Sequence, residues 1–286
     1  MAFLVWVAAG VGVVVSVGWW LARRTASNRA FAPGSLIRQY ERCQELFRLD
    51  QFEIDNILLP IARHDEYRIS GQRFRKDDVI IDVGAHVGIF SYLCHLKGSR
   101  AIYAFEASSP NFARLRSHVG KLSGVYCAQA VVWRSDMNRD GFLFLSHIHD
   151  DNTGSSSVLA GGQTIDFNGQ RMLPGAREAK AVSVISLDAI LERFERVKLL
   201  KLDCEGSEFP ILLTSSLLDR VDRIVGELHE CGEEVMAHLI PESRVSGYGD
   251  YRSGHLVSRL ESLGFRVRIW QSSENMCLFD ARRAAP

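Results

Sequence analysis

Along the chain, apolar runs with two different periods alternate. Val79–Val83 is apolar except for Asp82, as expected of a parallel strand buried on both faces that ends at an acid. Ile89–Leu96 has the apolar spacing of a helix, Ala101–Phe105 that of a strand. Pro110–Leu122 follows as a helix with proline near its start, then Val125–Ala128 as a third strand. Leu199–Leu202 and Arg223–Leu228 give two more strands, and "GHLVSRLESLG" gives an amphipathic helix stopped by Gly264. Arg266–Trp270 and Met276–Phe279, separated by "QSSEN", read as a hairpin at an antiparallel edge. Strand–helix alternation of this kind predicts an α/β fold, a doubly wound and mostly parallel sheet.

The ends and the middle depart from this rhythm. Phe3–Ala22 carries no charge over about 20 residues, enough for one helix across a bilayer core. Trp19 and Trp20 stand where an interfacial aromatic belt belongs, and Arg23 and Arg24 follow at once. With the positive charge behind the apolar run, residues 1–24 predict an uncleaved anchor with the rest of the chain in the cytoplasm. Residues 25–74 read as a linker, a helix over Ser35–Arg48 and a small edge strand in "YRISGQRFRKDD"; residues 75–286 are the main domain. Inside it, "GFLFLSHI" and "AVSVIS" alternate like strands around a Gly/Ser/Asn-rich stretch. Residues 146–180 therefore read as a β-rich insertion with a flexible tip over the active site. His147–Asp151, "HIHDD", reads as a strand end meeting a polar loop, with metal binding or substrate contact as alternatives.

Charge narrows the partners. Lys+Arg and Asp+Glu balance at 34 each, so nucleic acid is not expected. The six cysteines are scattered without a CxxC pair, which argues for reduced thiols rather than a zinc ribbon or a disulfide framework.

The chemistry concentrates in two loops. "DVGAHVG" places Asp82, Gly84, Ala85 and Gly88 after the first strand but lacks the middle glycine of a dinucleotide fingerprint. An acid beside the loop repels a pyrophosphate and suits an ammonium, so the loop fits a nucleoside with an amino-acid end, S-adenosyl-L-methionine. Glu106, ending the second strand, is placed to accept hydrogen bonds from two ribose hydroxyls; NAD sites share that feature. His86 reads as a loop spacer. The second loop, "LLKLDCEGSE", ends a strand at Asp203 and adds Glu205 and Glu208, with Ser207 as helix cap. Such carboxylates at a strand's carboxyl edge call for a cation, metal or ligand.

"DVGAHVGIFS", "AFEASSPNFARLRSHV", "SLDAIL", "KLDCEGSE" and "GELHE" in this order resemble the FkbM-type family of S-adenosylmethionine-dependent methyltransferases, over Arg75 to His238. The family usually has Asn where this chain has His86. The resemblance implies a Rossmann-like class I methyltransferase fold and O-methylation of a hydroxyl on a sugar, glycolipid or secondary metabolite. On that reading Asp82, Gly84, Ala85, Gly88, Glu106 and Asp203 bind the cofactor. The base that takes the hydroxyl proton is sought among Asp203, Glu205, Glu227 and His229, with His229 the natural choice because its pKa lies near neutrality. A divalent metal held by Asp203, Glu205 and His229 is one alternative. An NAD-dependent oxidoreductase, or a non-catalytic membrane scaffold, is the other.

Overall fold

The computed structural model describes residues 33–137, 142–147, 156–157, 165–167, 170–173, 180–237, 239–273 and 275–283. The expected anchor, residues 1–24, lies outside them. Among the described residues no helix is long and apolar enough to cross a membrane.

The core is a seven-stranded sheet. Its first strands are β1 (Val79–Val83), β2 (Ala101–Phe105) and β3 (Val125–Ala128), with the bounds that the apolar runs predict. A second, four-stranded sheet combines β4 (Val131–Trp133), β5 (Phe142–His147), β6 (Ser156–Ser157) and β9 (Lys180–Ser186). β7 (Ile165–Phe167) and β8 (Gln170–Leu173) pair with each other. The expected insertion thus contains strands; its other stretches, with residues 148–151 of "HIHDD", lie outside the described residues, as does any tip over the active site.

β10 (Leu199–Leu202), β11 (Arg223–His229), β12 (Phe265–Ser273) and β13 (Met276–Arg283) complete the large sheet in the order β12-β13-β11-β10-β1-β2-β3. Neighbours from β3 to β11 pair in parallel. The hairpin forms as expected, but the strand that reverses direction is the inner one. β13 is antiparallel to both β11 and β12, so the outermost strand runs with the parallel set. The chain winds outward from β1 in both directions, which makes the gap between β1 and β10 the topological switch point of a Rossmann-like α/β fold.

Both faces are covered, and strand alternation sorts the side chains between them. On one face Ile81, Leu200, Ile224 and Phe279 pack with Leu187, Leu212 and Leu256 from the following helices. On the other Ile80, Ile102, Leu199, Val225 and Leu278 pack with Phe90 and Leu93 and with Leu58, Tyr67 and Ile69 from the N-terminal segment. Burying each such side chain contributes about 1.5–3 kcal/mol.

That segment differs from the expectation. Pro33–Leu46 is a helix, and a capped turn at Gln51–Glu53 leads into a wide π-helical stretch, Ile54–Arg63, around Pro60, which has no N–H to satisfy. No edge strand forms in residues 64–78. Asp65 and Arg68 adopt left-handed backbone there (φ 54° and 52°), which breaks the extended geometry a strand needs. The segment is anchored by Glu53, buried and paired with Arg114 on the Ser109–Val119 helix; Arg114 Nη2 reaches Glu53 Oε2 at 2.9 Å.

Candidate catalytic edge

The candidates for cofactor binding and for the base lie at the carboxyl ends of β1, β2, β10 and β11. Gly84 (φ 72°) turns the chain out of β1, and its Cα passes so close to β10 that an added Cβ would stand 1.7 Å from the Asp203 carbonyl oxygen. Only glycine fits, because of that approach and because of its backbone conformation. Gly88 (φ 100°) meets Leu115 and Val119 in the same way, which lets the Ile89–Leu96 helix pack on its neighbour.

The loop between them turns its amides inward. Gly84 and Ala85 donate to the Phe105 carbonyl (3.0 Å each), Gly88 to Ala85 O (2.9 Å) and His86 to Glu106 Oε2 (2.8 Å). Four loop N–H groups are thus spent on the protein's own acceptors, whereas a pyrophosphate loop must aim them at its ligand. Glu106 is buried and takes a second N–H from Ser108 (2.8 Å) on its other oxygen. Burial pushes its pKa up to about 7, against the pull of these two amides. Each carboxylate oxygen has a second lone pair, so two ligand hydroxyls would complete the set. His86, with left-handed backbone (φ 50°), is held neutral by burial, its pKa lowered to about 4.

Asp82 does not face the crevice. It is fully buried, accepts the Ser91 hydroxyl (2.7 Å) and pairs with Lys201 Nζ (3.3 Å). Its charge is thus already met inside the protein, by a hydroxyl and an ammonium of the chain itself. Lys201, which the sequence reading passed over, is the hub. Its buried ammonium donates to Gly84 O (2.6 Å) and lies 3.7 Å from Asp203. Burial disfavours this charge, but Asp82 and Asp203 outweigh that and hold its pKa above the usual lysine range. The signal for it was present: a lysine amid "LLKLD" can only be a buried, paired charge. Tyr67, whose hydroxyl donates to Asp203 Oδ2 (2.7 Å), was also missed, and nothing local announces it.

On the far side of Asp203 the acids cluster around His229. Its Nε2 lies 3.5 Å from Glu205 and 3.7 Å from Glu227, its Nδ1 3.4 Å from Glu208. Burial pulls the imidazole pKa down, yet Glu208, Glu205 and Glu227 together raise it well above the ordinary range. A protonated imidazole has no lone pair for a hydroxyl proton, so in that form His229 serves as the cation among these carboxylates. Glu205, in left-handed backbone (φ 53°), has its pKa raised to about 7 by burial, partly offset by His229. Glu208 folds back to accept Cys204 N (2.8 Å) and Gly206 N (3.0 Å), while the Ser207 side chain makes no cap bond. The cap expected of Ser207 is thus not made, and Glu208 instead ties down the loop that precedes its helix. Among the described residues no group of three or more His, Cys, Asp or Glu side chains is arranged to hold a metal ion.

Replacing Lys201 with Met would leave Asp82 charged, buried and unpaired. Lys201→Met should cost about 3–5 kcal/mol in urea unfolding, and adding Asp82→Asn should recover part of that loss.

Residues 82–267 match the model of the Methyltransferase FkbM domain. The chain is 30% identical over 185 residues to 31-O-demethyl-FK506 methyltransferase FkbM of Streptomyces tacrolimicus, covering 57% of this chain and 70% of that protein. It is 27% identical over 216 residues to the AMB antimetabolite synthetase AmbE of Pseudomonas aeruginosa, 65% of this chain but only 9% of that protein. Solved structures with partial likeness include a methyltransferase FkbM from Methylobacillus flagellatus (11% identity, 85% of this chain and 58% of that one, TM-score 0.38). Another is a precorrin-6y C5,15-methyltransferase from Geobacter metallireducens (11% identity, 78% and 88%, TM-score 0.39). The sequence matches carry the assignment: the chain belongs to the FkbM methyltransferase family and is a methyltransferase.

Proposed function

We propose that the protein is an S-adenosylmethionine-dependent O-methyltransferase acting on a hydroxyl of a small molecule, sugar or glycolipid. The observation that carries this is the crevice between β1 and β10. It sets a ribose-type acceptor, Glu106, beside a glycine loop that spends four of its amides on the protein's own acceptors, and a partly exposed carboxylate, Asp203, across from it. The donor set suits a cofactor with two ribose hydroxyls and positive charge at its amino-acid end; when bound, that cofactor supplies an electrophilic methyl group. The alternative of an NAD-dependent oxidoreductase loses support with the inward-turned loop amides. The relative from Streptomyces tacrolimicus is named for transfer to an oxygen, which favours a hydroxyl acceptor here.

The chain's own work is alignment and proton removal. A hydroxyl is a poor nucleophile, so a base must take its proton as the new bond forms. Glu205, with its pKa near 7, fits that task; the His229 imidazolium beside it steadies the carboxylate once ionised. Asp203 attracts the positive end of the cofactor, and Glu106 fixes the ribose. Ahead of this domain, the apolar run Phe3–Ala22 with Arg23 and Arg24 behind it supports a single membrane anchor with the catalytic domain in the cytoplasm. Such an anchor would hold the site near lipid-linked acceptors.

Three measurements test these readings. S-adenosylmethionine at about 100-fold its Kd should stabilise the protein by about 2.7 kcal/mol in a thermal shift, with no shift from NAD; a shift with NAD alone would sink the reading. For Glu205 the sign follows from its raised pKa. The carboxyl keeps its proton below about 7 and becomes a base above it, so kcat at saturating cofactor should rise with pH through about 7. Glu205→Gln should erase that limb and lower kcat by about 10²–10⁴-fold. The full-length chain should sediment with membranes, and a chain starting at Pro33 should not.

A further inference from the structure

The short stretch from Asp65 to Ser70 is built with more care than a connecting loop needs. The buried Asp65 carboxylate accepts the amides of Ile69 and Ser70 (2.8 Å each) and the Ser70 hydroxyl. Arg223, at the start of β11, donates Nη2 to the carbonyls of Tyr67 (3.1 Å) and Arg68 (3.2 Å) while it pairs with Asp280 (2.8 Å). The Arg68 guanidinium lies 3.8 Å over the Trp270 ring. Asp65 and Arg68, both with left-handed backbone, bracket Glu66 and Tyr67 between them. Such conformations cost free energy and persist only where their surroundings impose them.

The side chain they hold is Tyr67. It is buried with its ring edge-on to Phe90 (5.4 Å, 88°), and the Lys201 ammonium sits 5.6 Å from the ring centroid. Its hydroxyl donates to Asp203 Oδ2 at 2.7 Å. The same oxygen faces Lys201 at 3.7 Å. Asp203 is thus held from two sides, by a neutral donor on the N-terminal segment and by a cation on its own strand. Without the hydroxyl, that oxygen would lose its donor on the N-terminal segment while the pull of Lys201 on it remained.

We infer that Tyr67 is a positioning residue of the methyl-transfer site, which keeps the Asp203 carboxylate turned toward the positively charged end of the cofactor. The inference rests on the cofactor reading proposed above. It places a required part of the site upstream of residues 82–267, the stretch that matches the family domain. Burial first, and then the neighbouring Asp203, Glu66 and Glu227, push the phenol pKa well above its ordinary value of 10, so the hydroxyl stays a donor at every working pH.

Tyr67→Phe removes the hydroxyl and keeps the ring contacts. Calorimetric titration of the full-length protein with S-adenosylmethionine should show binding weakened about tenfold by Tyr67→Phe, the scale of one hydrogen bond to a charged group. The melting temperature of the variant should stay within a few degrees of wild type. Asp203→Asn should also weaken binding, and the double variant should bind no more weakly than Asp203→Asn alone, because the hydroxyl acts only through the carboxylate. Wild-type affinity in Tyr67→Phe, or a loss that adds in full to that of Asp203→Asn, would overturn the inference while normal wild-type binding left the methyltransferase reading standing. A wild-type chain that binds no S-adenosylmethionine would remove both.

Discussion

The buried ammonium of Lys201 is the constraint around which the rest of the site is arranged. A lysine in the central layer of a parallel sheet is stable only if its charge is met from several directions, and here it is. Asp82 meets it from β1, Asp203 from its own strand, and the Gly84 carbonyl from the loop above. The arrangement works in both directions. The cation draws the two carboxylates together, and those carboxylates fix where β1 and β10 end relative to each other. The glycine at 84 then becomes obligatory, since the two chain segments touch at backbone distance.

Around this fixed point the carboxylates divide by environment. Glu106 and Glu205 are each pushed to about 7 by burial, one partly relieved by backbone amides and the other by an imidazolium. Both hold their protons more tightly than they would in the unfolded chain. Ionising them therefore reduces stability as pH rises from their ordinary 4.5 toward 7. An edge built this way is poised to accept positive charge and hydroxyl donors, at some cost to the empty protein. That trade is common where a site is shaped for a ligand.

Much of this was legible in the chain. β1, β2, β3, β10 and the Ile89–Leu96 helix have the bounds their apolar periods predict, because each is short and mostly apolar and ends where a glycine or polar residue follows. Asp203, Glu205 and Glu106 stand out because acids ending buried strands have few structural uses. What escaped depends on distance in sequence. Tyr67 meets Asp203 across 136 positions, and nothing near Tyr67 announces the contact. The charge state of His229 depends on three glutamates from two strand ends, whose convergence only the fold creates. The Ile54–Arg63 segment was unreadable for another reason: a proline in its middle masks a helical period that the wider turn restores.

The bridge from Arg223 to Tyr67, Arg68 and Asp280 also orders events in time. A ribosome delivers the Tyr67 segment long before β11, and β13 comes last of all. The carbonyls of Tyr67 and Arg68 acquire their partner only when Arg223 has been made, and Arg223 is itself neutralised only when Asp280 emerges with β13. The N-terminal segment therefore takes its final hydrogen bonds only once β13 has joined the sheet. Contacts of such span are slow to close. Tyr67, and with it the donor to Asp203, thus settles last although it lies first in the chain.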